Sequence, residues 1–424
     1  MGKGYSKKLV LLSVMVLGLL LVFSGISTAA TLTVGTGKTY ATIQAAVDAA
    51  SSGDTIDVYS GTYQEDVRIH KNNLTLRSVD GEGQAEITGD GGTYVVYVNE
   101  DLGVTVDGFK ITPGSGNTYG IYHNGGTPTS PVTITNNTIE GFSSYGFYAS
   151  WGYMENTTFT FTNNTINECD TGVYIYGFDG CVIRINDNTV TDCPDGLYLN
   201  EFDEGQGTDA EVKGNTVTLG SLLSGSYGIH LCCPENTTHV SENTVQGNYE
   251  YGIYFCDVGC CGMEPVILFV EKNEISGAQY GLYFSDILCC LPGEVTVRYN
   301  TISNNDYGIY VGSFSYADDP LTEVFFADNN IEDNDSYGFY NSTSELINAQ
   351  GNWWGDASGP THDDNPGGIG DVVTDNVDFG SFRTTAWEEE GDDDDSSSGC
   401  NTGILNPLFL LLLAPMGLLL KKSR

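Results

Sequence analysis

One phrase recurs along most of this chain with small changes of wording. It reads "TNNTIEGFSSYGFY" at Thr135–Tyr148, "TNNTINECDTGVY" at Thr162–Tyr174 and "YNTISNNDYGIY" at Tyr299–Tyr310. Aligned on the Asn that precedes the Thr-Ile step or its equivalent, the landmarks are Asn137, Asn164, Asn188, Asn215, Asn243, Asn273, Asn300, Asn329 and Asn352, spaced by 23 to 30 residues. A second landmark, Gly before an aliphatic or aromatic residue, recurs at Gly120, Gly146, Gly172, Gly196, Gly228, Gly252, Gly281, Gly308 and Gly338. Self-similarity at such a period means an array in which each unit can bury its apolar face only against the next.

Within a unit the hydrophobic period is two. In "VTITNNTI", Val132 and Ile134 alternate with Thr133 and Thr135 before the Asn pair turns the chain. That alternation, in Val, Ile, Thr, Tyr and Phe, marks half-buried strands. The Leu spacing of leucine-rich repeats and the period of nine of calcium-binding nonapeptide repeats are both absent. The sequence therefore predicts an all-β fold, a right-handed parallel β-helix solenoid of about 10–12 coils. Side-chain amides stacked one coil apart would hydrogen-bond up the Asn column. Open solenoid ends need covers. In front, "TYATIQAAVDAASSGDTIDV" offers a short amphipathic capping helix with Ile43, Ala46, Val47 and Ala50 on one face. Behind, "GNWWGDASGPTHDDNPGGIGD" breaks the period with Trp353, Trp354, Pro360 and Pro366 and reads as the closing cap.

The two ends differ from the middle. Lys3, Lys7 and Lys8 precede an apolar run from Leu9 to Phe23 and a small-residue stretch ending near Ala29 or Ala30, the layout of a secretory signal peptide. "GILNPLFLLLLAPMGLLLKKSR" is an apolar run of about 18 residues, long enough to reach across a bilayer, with a basic end that stays inside. Three of the 16 Lys and Arg lie in the leader and three in this tail, so ten remain against all 56 acids, and the exported part carries about −46. Such a surface repels nucleic acid, whose binding depends on cationic residues. "EEEGDDDD" (Glu388–Asp395) reads as a solvated spacer. The boundaries expected are 1–30 for the signal peptide, 31–75 for the N-terminal cap and first coil, and 76–350 for the coils. The closing cap follows at 351–385, an acidic and Ser linker with a sorting Cys at 386–403, and a hydrophobic anchor at 404–424.

From about Ala41 to Phe382 the chain resembles the secreted right-handed β-helix proteins of the pectin-lyase-like class, including the NosD-like repeat proteins. The residues that carry this are "YATIQAAVDAASSGDTI", the N-T-I and Y-G-I-Y units and "NWWGDASGP". Separately, "SSSGCNTGILNPLFLLLLAPMGLLLKKSR" resembles the Synergist-type C-terminal sorting tail. That resemblance implies cutting near Cys400 and attachment at the cell surface.

Residues two after each landmark Gly are Tyr122, Tyr148, Tyr174, Tyr198, His230, Tyr254, Tyr283, Tyr310 and Tyr340. Their neighbours Ile121, Phe147, Val173, Ile175, Leu197, Leu199, Ile253 and Phe255 are apolar and should point inward, which sends the Tyr stripe outward. Two readings stand. Stacked rings stabilise a parallel sheet at roughly 0.2–1 kcal/mol per cross-strand pair. Alternatively the stripe is a carbohydrate platform, ring faces packing on sugar CH groups and hydroxyls bonding the sugar.

Eleven Cys in an exported chain suggest disulfides. Equivalent positions in adjacent coils pair Cys169 with Cys193 and Cys232 with Cys256, and set Cys260 and Cys261 against Cys289 and Cys290. A thiolate metal site built from "CDVGCC" and "CC" is the alternative, for copper(I) or zinc, and the likeness to NosD-like proteins, linked to copper-site maturation, keeps it open. Arg184, Glu211, His239, Glu271 and Arg298 have the residue types of a β-helix lyase, in which a base works beside acids that hold calcium. Cross-strand ion pairing explains the same charges. Asp356, Asp363 and Asp364 are candidate calcium ligands, with turn chemistry as the rival account. "GTGKT" (Gly35–Thr39) is not a P-loop, because Leu32 stands where the motif needs Gly.

The function expected is a cell-surface-anchored β-helix that binds extracellular polysaccharide or mediates adhesion along the Tyr ladder. The alternatives are a polysaccharide lyase or hydrolase, with calcium as its possible cofactor, and a purely structural surface-layer component.

Overall fold

The computed structural model describes residues 29–388 apart from 100, 151–156, 179, 203–207, 235, 260–264, 290–291 and 316–318. Residues 1–28 of the leader, residues 389–403 of the acidic linker with Cys400, the anchor segment, and also Cys260, Cys261 and Cys290, lie outside the described residues. Among those described, no helix is long and apolar enough to cross a membrane.

Each repeat is one coil with three strands, as the run Val132–Thr135, Thr138–Glu140 and Tyr145–Ser150 shows. Stacked coils make three sheets of parallel strands: a long sheet of 14, and two of 11 strands each, one of them carrying the tyrosines. About 12 turns result, with almost no helix. Register is uniform. Val132 and Ile134 lie level with Phe159 and Phe161 one coil on, and all four are buried. A slip of one residue would turn every such side chain to the opposite face.

Three columns hold the coils in that register. The landmark asparagines are fully buried and form one unbroken ladder. Asn137 Nδ2 donates to Asn164 Oδ1 at 3.1 Å, and the same bond repeats to Asn352 at 2.9–3.1 Å. The other amide proton goes to a backbone carbonyl of the preceding coil, Val106 for Asn137 and Ile134 for Asn164. The predicted amide column is present.

The residue before each ladder Asn is left-handed in every coil, from Asn136 (φ 55°) through Asp187, Gly214, Glu242 and Lys272 to Gly351 (φ 76°). The Asn-Asn, Asp-Asn and Gly-Asn pairs of the sequence are thus turn chemistry joined to ladder chemistry. The landmark glycines answer to close approach rather than to a turn. A Cβ on Gly252 would stand 2.6 Å from Ile275 Cγ2 and 2.7 Å from Gly281 O.

At the front, α1 (Ile43–Ala49) covers the first coils with Ile43, Ala46 and Val47 buried, as its sequence pattern predicts. Thr42 caps it, and the Glu65 carboxylate accepts from the Ile43 and Gln44 amides at 2.7 and 2.8 Å, satisfying donors that a helix start leaves open. The long sheet already begins with β1 (Thr31–Val34), ahead of the helix. At the back, Trp354 is fully buried and Asn352 ends the ladder by turning its amide to Phe326 O and Ala349 O, both at 2.7 Å.

Candidate functional site

The tyrosine sheet presents two columns of rings. The predicted column, two after each Gly, is joined in register strand by strand, and its inward neighbours Ile121, Phe147, Val173, Leu197 and Ile253 are fully buried. The second column, one before the Gly, comprises Tyr119 and Tyr145 and, further on, Tyr227, Tyr251, Tyr280, Tyr307 and Tyr337. Both columns start one coil earlier than the Gly landmark indicates, at Tyr94 and Tyr97, where Val95 takes the glycine's place. The Tyr-x-x-Tyr spacing, shared with Tyr119 and Tyr122, is the signal that finds them.

The rings stack on one another along the rod. Tyr122 and Tyr148 lie 4.9 Å apart at 8°, Tyr148 and Tyr174 5.2 Å at 5°, Tyr283 and Tyr310 4.8 Å at 6°, and Tyr310 and Tyr340 4.9 Å at 8°. The second column stacks likewise, Tyr251 to Tyr280 at 5.3 Å and 16°. Between columns the rings meet edge to face, as Tyr119 does Tyr122 at 89°. Inner rings therefore spend their faces on neighbours. What the half-buried columns offer outward is ring edges and phenols, and this revises the expectation of open ring faces. Burial raises the Tyr122 and Tyr254 phenols to a pKa of about 12, so they remain neutral donors.

The columns end at Tyr337 and Tyr340. These two line a cavity of about 730 Å³ together with Asn341 and the cap residues His362, Asp363 and Asp375. Among the described residues Tyr310 is the one ring stacked on Tyr340, while Tyr307 and Tyr337 meet it edge to face. His362 Nε2 stands 3.3 Å from Asp375.

His230 interrupts the first column. Sequence reasoning places it outward, and its backbone register agrees, being level with Tyr198 and Tyr254. The side chain is nevertheless only 4% exposed. The smaller ring sits below its neighbours, with Tyr198 4.1 Å and Tyr254 5.0 Å away edge to face and Tyr227 stacked at 4.6 Å. Burial lowers its pKa to about 4, and neither ring nitrogen has a hydrogen-bond partner.

The five charged candidates separate into two columns of the long sheet. Arg184, Glu211 and His239 occupy one position in three successive rungs and line a cavity of about 340 Å³. Glu271 and Arg298 pair in another column, at 2.6 Å. The ion pair expected for Arg184 is absent among the described residues. Glu211 instead accepts from the Asn186 amide, and His239 stacks on Phe269 at 4.9 Å.

Two of the predicted disulfides are not formed: Cys169 and Cys193 are buried thiols, hydrogen-bonded to each other and, at 3.5 Å, to the Asn167 and Thr191 carbonyls respectively, and Cys232 and Cys256 are likewise not joined in a disulfide. Cys232 and Cys256 are register partners. Asp356 accepts from the Ser358 amide and hydroxyl at 2.8 and 2.6 Å, a turn contact. Asp363 and Asp364 form no convergent ligand set with it; among the described residues that description fits His230, Cys232 and Cys256.

Two family models match the sequence: "Right handed beta helix region" over residues 94–260 and "Periplasmic copper-binding protein (NosD)" over residues 203–359. The chain is a right-handed parallel β-helix repeat protein. No curated protein matches this β-helix. Solved structures similar to it include two mannuronan C-5 epimerase A-modules from Azotobacter vinelandii. That of AlgE6 is 15% identical, covering 82% of this chain and 95% of that one, with a TM-score of 0.35. That of AlgE4 is 15% identical, covering 81% and 93%, with a TM-score of 0.33. A mannuronic-acid-specific polysaccharide family 6 lyase from human gut microbiota is 12% identical, covering 74% and 87%, with a TM-score of 0.27.

Proposed function

We propose that this β-helix binds an extracellular polysaccharide laid along the tyrosine columns, with the end of the polymer seated in the cavity where the columns stop. The observation that carries this reading is the continuity of an uncharged aromatic track, on a very acidic molecule, with a cavity of about 730 Å³ walled by Tyr337 and Tyr340. Along the track the polymer meets phenols and ring edges once per coil. At the end it meets the face of Tyr340 turned away from Tyr310, and there a sugar can stack. Export is part of the reading; the Lys3–Ala30 leader pattern and the word "periplasmic" in the description of the matching NosD family support it.

A second reading has its own observation. Arg184, Glu211 and His239 around the smaller cavity are the residue types of a polysaccharide lyase. They lie on the long sheet, away from the tyrosine sheet, so a polymer held by the tyrosines does not pass them.

The full chain, with and without calcium, would be incubated with acidic and neutral polysaccharides while retention and new chain ends are followed together. Retention without cleavage is expected. Tyr340→Ser should weaken binding about 2- to 12-fold, the equivalent of an aromatic contact of ~0.5–1.5 kcal/mol. Tyr283→Ser, which removes an inner ring, should cost less. Equal retention by all three proteins would sink the track, and new chain ends would transfer attention to Arg184.

A further inference from the structure

The first tyrosine column gives up its tyrosine once between Tyr122 and Tyr340, at His230. That substitution forfeits two ring stacks of about 5 Å, the spacing that its neighbours keep. What replaces them is an imidazole with both nitrogens buried and unbonded, a group that normally finds a partner. Two residues along the same strand, on the same outward face, stands Cys232, and level with it on the next coil stands Cys256. A ligand atom from each of the three lies within 4.8 Å of the others.

We infer that His230, Cys232 and Cys256 form a binding site for a soft monovalent metal ion, copper(I) being the physiological candidate. Thiolate and imidazole select such ions over calcium or magnesium, which take oxygen. Three ligands from two adjacent rungs suit a three-coordinate monovalent ion, whereas structural zinc needs a fourth donor. Cys233 does not supply it. Its sulfur is 3.8 Å from that of Cys232, but it is held in a disulfide. The orphaned imidazole is thereby given its partner, and the rigid parallel strands fix the ligand spacing before the ion arrives. Binding forms two metal–sulfur bonds and one metal–nitrogen bond and releases the two thiol protons to solvent, with no change of oxidation state. This inference stands apart from the polysaccharide reading, and either can fail alone.

The test is anaerobic titration of the reduced full chain with copper(I) against a chromogenic copper(I) chelator, beside His230→Tyr and Cys256→Ser. The tyrosine variant restores the residue that the column uses elsewhere, and Cys256→Ser keeps the side chain's shape, so circular dichroism should show both folded. The expected result is one tight equivalent in the parent, with sulfur and nitrogen scatterers in X-ray absorption. Each variant should lose at least about 100-fold in affinity, the upper end of what removing a mere supporting partner costs. Unchanged affinity in either folded variant would overturn the site. So would peptide mass spectrometry that finds Cys232 and Cys256 joined as a disulfide in the protein as isolated, or a preference for zinc in direct competition.

Discussion

Replacing Asn243 with Ala tests whether the amide ladder holds the coils or merely fills their corner. In the structure this side chain makes four hydrogen bonds. Its Nδ2 donates to Val212 O and Asn273 Oδ1, both at 2.9 Å, and its Oδ1 accepts from the Asn215 backbone N–H at 3.0 Å and from Asn215 Nδ2 at 2.9 Å. Ala strands the Asn215 N–H and one amide proton with no water in reach, and withdraws a donor from Val212 O. Asn273 Oδ1 still receives the backbone N–H of residue 243 at 3.1 Å. At about 1–3 kcal/mol for each stranded buried donor, the substitution should cost about 2–6 kcal/mol. Urea unfolding followed by tyrosine fluorescence would read the loss. Native-state hydrogen exchange would locate it, with the Asn215 amide losing protection before amides several coils away, because coupling in a solenoid runs between neighbours. Asn243→Asp adds a control of sign. It keeps the acceptors but sets a buried carboxylate against two carbonyl oxygens, so its pKa rises in the folded state, and stability should be regained as the pH falls. A cost below about 0.5 kcal/mol for the Ala variant, the size of an ordinary surface change, would refute the reasoning.

Two further outcomes follow from other columns. Gly252→Ala should destabilise by at least about 1–3 kcal/mol, as overpacking does, since the new methyl would lie 2.6 Å from Ile275 and 2.7 Å from the Gly281 carbonyl; thermal unfolding comparable to the parent would mean that the coils can spread there. Asp371 ends a second, shorter ladder, accepting from the Asn334 amide at 2.8 Å after Asn305 has bonded Asn334 at 3.1 Å. Burial raises its pKa, so its contribution is greatest in acid and is lost as the pH rises through the folded value. Asp371→Asn should therefore stabilise the chain at neutral pH, with the two unfolding midpoints converging as the pH is lowered; parallel curves would contradict this.

What could be foreseen depended on how local the cause was. Strand alternation, the inward set from Ile121 to Phe255, the asparagine ladder and the face of α1 are set by residues a few positions apart, and the sequence displays them. Gly252 recurs visibly in its column, but its reason lies in the carbonyl of Gly281, which only stacking brings near. Tyr94 and Tyr97 escape a search keyed on glycine because Val95 is tolerated at the column's start. The use of tyrosine faces by each other, the sinking of His230 beneath three rings and the preference of Glu211 for Asn186 over Arg184 all depend on side-chain directions and packing. Register along one strand does not contain these.

The asparagine ladder has one direction. Each amide gives its proton toward the C-terminal end and takes one from the other side. Every interior coil thus offers above what it accepts below. A whole coil can be duplicated or lost between Asn137 and Asn329 with no new contact to invent, and the connections between strands already absorb spacings of 23 to 30 residues, whereas a residue inserted within a strand turns that strand's side chains to the wrong face. Length is consequently the trait this architecture leaves most open to evolution, in steps of one coil, with the tyrosine track lengthening or shortening in the same stroke.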